Sequence, residues 1–94
     1  MSDEMKKFEI VDEEELENAS GGIIFNASRI EGSDKSKPFE ILNDKNGNVI
    51  ARASSYDEAR RMVEDKSSPL YGLASSEYTE DWNRVCDLRN NPRY

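Results

Sequence analysis

Reactive side chains are scarce in this chain of 94 residues, which has no histidine and a single cysteine, Cys86. The commonest general base and metal-binding ring is therefore missing. Cys–His and Ser–His nucleophile pairs and ordinary zinc sites cannot be assembled within one copy. Carboxylates are plentiful, but Glu13-Glu14-Glu15 and Glu80-Asp81 read as solvated helix termini, where acidic groups complement the helix dipole. Asp44, Asn46 and Asn48 have the oxygen-rich spacing of a calcium loop. No flanking helix pair and no closing glutamate accompany them, so calcium is not expected. The chain is read as a non-enzyme that requires no cofactor and no metal. The chemistry it does allow is chemistry done to it. Gly21-Gly22 is a pair without side chains, and an extended backbone of that kind can thread a narrow protease subsite that any Cβ would block.

The surroundings of that pair mark a boundary. Residues 1–22 carry two basic and eight acidic groups, a net −6, whereas residues 23–94 carry eleven basic and twelve acidic groups, a net −1. A near-neutral body with scattered Arg and Lys has no electrostatic reason to bind nucleic acid or an anionic membrane. No apolar run approaches the roughly 20 residues that span a bilayer, so membrane insertion is not expected. The acidic, charge-broken start lacks the basic and apolar regions of a Sec-type signal peptide. Length allows one small domain, and a body of about 70 residues makes a marginal core.

The elements that position the glycine pair follow from the pattern before it. Residues 3–20 read as one amphipathic helix, capped by Ser2 or Asp3. At 100° per residue, Met5, Phe8, Val11, Leu16 and Ala19 form an apolar stripe, and Ile10 lies off it. Gly21-Gly22 would end that helix. Such a short acidic helix is mostly unfolded alone in water, and it can fold by laying its stripe in a partner's groove.

These residues carry a resemblance. Val11 stands twelve before a cut after Gly22, Glu15 and Leu16 eight and seven before it, Ala19 four before it, and Gly21-Gly22 last. This run resembles the double-glycine leaders of bacteriocin-type and other small exported bacterial peptides. Ala19 stands where those leaders usually have Ile, Val or Met, and Asp12 replaces a common Ser. The resemblance covers residues 1–22 only. It implies leader recognition through Val11, Glu15, Leu16 and Ala19 and cleavage after Gly21-Gly22. The implied peptidase is a papain-like cysteine enzyme fused to an ABC exporter. It also implies synthesis in the cytoplasm and secretion after leader removal.

Behind the boundary the chain reads as a small α+β domain over residues 23–94, a ββα core of hairpin and two helices. Ile23–Ala27 can supply a third strand. Pro38–Asn43 and Val49–Ala53 alternate like strands and are joined by Asn46-Gly47, a strong hairpin turn signal. Ser55 with Glu58 makes a capping box for a helix to about Asp65, with Tyr56, Ala59, Met62 and Val63 on one face. Residues 67–76 read as a loop, punctuated by Pro69 and Gly72, whose Leu70, Tyr71 and Leu73 pack inward. Thr79 caps a last helix with Trp82, Val85, Cys86 and Arg89 inside, and Asn90-Asn91-Pro92 ends it. Trp82 is read first as a core anchor and, more sharply, as a contact for a receptor or sister chain. Cys86 is read first as a buried apolar residue. Its alternative is an intermolecular disulfide that would make a dimer.

Two functional classes remain in view. One is the precursor of an exported small protein whose body is a binding, signalling or bacteriocin-like module. A membrane-killing peptide fits poorly, because the body is neither cationic nor one long amphipathic helix. A thioether-ringed peptide fits poorly because Cys86 permits one ring at most. The other class is an unprocessed cytoplasmic domain that contacts a protein partner through residues 23–94.

Overall fold

The computed structural model of the chain describes residues 8–92 except 20, 34, 69 and 72–75. Its elements are β1 (Phe8–Ile10), α1 (Glu13–Asn18), β2 (Gly22–Asn26), β3 (Phe39–Asn43), β4 (Val49–Ala53), α2 (Tyr56–Glu64), β5 (Ser76–Thr79) and α3 (Trp82–Asn90). The five strands form one sheet in the order β1-β4-β3-β2-β5. Only the β2–β5 pairing is parallel. The α+β class is as the sequence indicates, with two more strands and one more helix than the hairpin, third strand and two helices read from the body.

Alternation along the strands builds two cores. Ile24 and Ile41 face one side of the sheet, where Ala59, Met62 and Val63 of α2 cover them together with Leu70. Ile23, Phe25 and Leu42 face the other side, beneath Val85 and Leu88 of α3. A sheet covered on both faces needs apolar residues at consecutive positions, which explains the unbroken Ile23-Ile24-Phe25 run. The β3–β4 register shifts at Ile41/Leu42, where Ile41 pairs Ala51 and Leu42 pairs Val49. Ile50 is the extra residue of that bulge. Ile50 and Ala51 therefore both pack on the α2 side, a bend that strict alternation would forbid.

The hairpin and the α2 cap have the expected chemistry. Gly47 has φ +73, and a Cβ there would meet the Val85 carbonyl oxygen at 3.2 Å. The turn glycine thus supplies both the left-handed conformation and the close approach of α3. The Ser55 side chain accepts a hydrogen bond from the Glu58 amide at 3.2 Å, and α2 ends at Glu64 with Asp65 as its cap.

Three expectations are corrected. First, residues 8–19 are not one helix. Phe8–Ile10 is a strand pairing β4, and α1 has six residues, capped by Asp12, which accepts from the Glu14 and Glu15 amides. Ile10, off the helical stripe, packs against the core, whereas Val11, on the stripe, is 42% exposed. A short isolated helix gains little in water, while the open β4 edge offers a ladder already half built. Ser2, Asp3 and Met5 lie outside the described residues. Second, the glycines do not cap the helix. Ala19 is the C-cap in an extended conformation, and Gly22 opens β2. Third, Thr79 ends β5, and Asp81 caps α3 by accepting from the Asn83 amide at 3.0 Å. Within the expected loop Leu70 is fully buried, Tyr71 is 51% exposed, and Leu73, Pro69 and Gly72 lie outside the described residues.

Candidate functional site

The residues of the leader pattern converge on the β3–β4 turn. The bulged Ile50 carbonyl accepts the Val11 amide at 2.6 Å and the Asp12 amide at 3.2 Å. That pair of bonds turns the chain from β1 into α1 and sets Glu15 over the hairpin. Asn43 Nδ2 donates to the Glu15 carbonyl oxygen at 3.2 Å and to Glu15 Oε1 at 3.3 Å. Asn46 Nδ2 donates to the same Oε1 at 2.7 Å. Asn43 and Asn46 are the buried polar residues among those described, 0% and 5% exposed. Their Oδ1 atoms accept the Lys45 and Asn48 amides. With each carbonyl end tied to its own turn, each amide end is fixed toward the carboxylate. Glu9 adds a surface ion pair, 3.8 Å from Arg52.

Leu16 and Ala19 are half-buried and pack against the core on the α2 side. Gly21 and Gly22 are buried. Gly22 pairs with Asn43 of β3 and with Ser76 of β5, so the Gly22–Ile23 bond lies between two strands. The Gly21 carbonyl accepts the Asp44 amide at 3.4 Å. The structure thus brings Glu15, Leu16, Ala19 and the glycines onto the hairpin, while Val11 points to solvent. The sequence carried no signal for the roles of Asn43 and Asn46. An asparagine in a hairpin reads as turn chemistry, and only the arrival of α1 makes it a carboxylate holder.

A second feature lies on the opposite face. Trp82 is 39% exposed. Its ring centroid is 5.8 Å from that of Phe25, and the Arg89 guanidinium lies 5.4 Å above it. Trp82 is therefore at once a cover for the core and a surface residue. Arg89 Nε donates to the Gly47 carbonyl at 2.9 Å, so Arg89 ties α3 to the hairpin turn while its inward contact is with the Trp82 ring. Together with Ile30, Glu40 and Arg52 these side chains line a cleft of about 430 Å³. Arg52 Nε is 3.5 Å from Glu40 Oε2. Leu88, unanticipated, is buried, and Cys86 is half-buried.

At the sheet's other edge, Arg84 donates two hydrogen bonds to the Glu77 carboxylate, at 2.9 and 3.1 Å, and joins β5 to α3. That hydrogen bonding holds the Glu77 carboxyl below the usual glutamate value and raises Arg84. The Tyr78 hydroxyl donates to Glu80, which raises its pKa. Among the described residues no group of three or more His, Cys, Asp or Glu is placed to hold a metal ion. No described helix is long and apolar enough to cross a membrane. Comparison of the chain with protein families, curated proteins and solved structures returns no match.

Proposed function

We propose that this chain is the precursor of a small exported bacterial protein, with residues 1–22 as a double-glycine leader cut after Gly22. Hydrolysis adds one water across the Gly22–Ile23 bond, leaving a carboxylate on Gly22 and an amine on Ile23. The peptidase domain of an ABC exporter reads Val11, Glu15, Leu16 and Ala19. The released residues 23–94 act outside the cell as a small α+β module that binds a protein, with the Trp82 cleft as its contact surface. An aromatic ring half in the core and half in solvent, flanked by arginine, has the composition of an interface anchor.

One observation carries the reading. Every buried apolar side chain among the described residues lies at Ile23 or beyond. Within residues 8–19, the described apolar side chains that reach the core, Ile10, Leu16 and Ala19, are half-buried. The second reading, an unprocessed cytoplasmic interaction domain, draws on a different fact: Gly21 and Gly22 are buried, and Gly22 is paired on both sides within the sheet. Because a peptidase cleft needs extended, unpaired substrate, the deciding substrate is the full chain presented unfolded. The Ile41→Asp variant provides it, since an unpaired carboxylate at a fully buried position costs more than a domain this small can offset. Incubated with a purified double-glycine leader peptidase, it should give one new mass, beginning at Ile23. An intact chain, with a control leader cut in the same tube, would overturn the precursor reading and leave the cytoplasmic domain.

A further inference from the structure

We infer that the folded body holds its own leader: Asn43 at the end of β3 and Asn46 in the β3–β4 turn bind Glu15 and withdraw it, together with Leu16 and Ala19, from the peptidase, leaving Val11 exposed. This rests on the precursor reading and adds a regulation to it. The geometry is specific. Of the residues that the leader pattern assigns to recognition, Glu15 is the charged one, and its carboxylate is met by two amide groups whose orientation the turn has already fixed. The Glu15 carbonyl is taken as well, and Leu16 and Ala19 turn toward the α2-side core. A peptidase groove that reads the same carboxylate and the same apolar face must compete with these contacts. Hydrogen bonds to a charged group in a partly buried site are among the stronger polar contacts, enough to change an affinity by about tenfold or more. The folded precursor is then a poor ligand, and recognition is confined to chains that have not yet folded. A chain that escaped the exporter would fold into a form the peptidase no longer reads.

The contact can be tested on full chains by titrating a catalytically inactive leader peptidase domain and measuring its affinity. The unfolded Ile41→Asp chain should bind at least about tenfold more tightly than the folded wild type. Asn46→Asp sets a second carboxylate against Glu15 and leaves the leader sequence intact, so it should recover much of that difference while its Trp82 near-ultraviolet signal shows that the body is folded. Asn48→Asp, the same charge change at an exposed turn position, should bind like wild type. Should Asn46→Asp fail to fold, Asn46→Ala removes the donor without adding charge and should give the same ordering. Equal affinity of the folded wild type and the unfolded chain would overturn the inference and leave the leader reading standing. A folded Asn46 variant that binds as weakly as wild type would also overturn it. If no chain binds, the leader reading fails and the inference with it.

Discussion

Residues 8–19 and residues 22–91 are joined in one sheet, yet they are held by different forces. The larger part has a sheet covered on both faces, with Phe25, Ile24, Ile41 and Leu42 fully buried. The smaller part pairs one edge, leaves Val11 42% exposed and is seated by Glu15 on two asparagines. Apolar burial is non-directional and supplies most of the stability. Hydrogen bonds to a fixed partner supply less net energy but decide position. The contrast teaches that a segment can be integral to the hydrogen-bonding of a fold while remaining peripheral to its core. Such a segment has a definite place, set by its hydrogen bonds.

The comparison breaks most severely if the core of the larger part is emptied. Phe25→Ala should cost about 3–5 kcal/mol, a large share of what a domain of this size has. Urea denaturation should then show one transition at much lower midpoint, with both regions lost together. If residues 8–19 kept their amide protection while the sheet melted, the dependence of the smaller part on the larger would be refuted.

Glu15→Ala should have the next largest effect, about 1–3 kcal/mol, because Asn43 and Asn46 both lose their hydrogen bonds to the carboxylate and Asn43 keeps only the one to the residue-15 carbonyl. The loss should be local. Amide exchange should rise across residues 9–16 while β2 and β3 stay protected. A uniform rise in both regions would show that Glu15 supports the core itself. Asp12→Ala removes the α1 cap and should cost about 1 kcal/mol, again seen as faster exchange at Glu14 and Glu15 and not as a shift in the main transition. An effect equal to that of Glu15→Ala would mean that helix formation, and not the asparagine contact, seats the segment.

The smallest expected effect lies at the far edge of the sheet. Arg84 holds the Glu77 carboxyl below its ordinary value of 4.5. A depressed folded-state pKa means that the pair stabilises fully above the unfolded value and is lost as pH falls through the folded one. Glu77 is about half exposed, so solvent screening keeps the contribution under about 1 kcal/mol. The melting temperatures of wild type and Glu77→Gln should therefore differ slightly near neutrality and converge as the pH falls below 4.5 and through the depressed folded value. A difference that persists or grows at low pH would exclude the carboxylate as its source.

Local chemistry made part of this fold legible. Asn46-Gly47 between two apolar runs and Ser55 three residues before Glu58 specify a turn and a cap through interactions confined to a few residues. The faces of α2 followed from periodicity alone, and Ala59, Met62 and Val63 are buried as expected. The 3–20 helix went wrong at Phe8–Ile10 because a short apolar stripe fits a helix and an edge strand alike, and the β4 edge decided between them. β5 left no trace either. Its parallel pairing with β2 joins Gly22 to Ser76, and no nearest-neighbour rule reaches across that separation. Trp82 was legible as a core anchor, and its ring packs on Phe25 while staying 39% exposed.

Composition, the glycine pair with its Glu-Leu spacing, the hairpin turn and the helix cap were determined by the sequence itself, because each is an interaction among near neighbours. Tertiary structure alone decided that Gly22 stands between β3 and β5, that Phe8–Ile10 is a strand, and that Asn43 and Asn46 face Glu15. The physical reason is the same in each case. An edge with unpaired backbone groups and a buried amide with an unspent hydrogen acquire their partners only when distant segments meet, and the gain from satisfying them outweighs weak local preference.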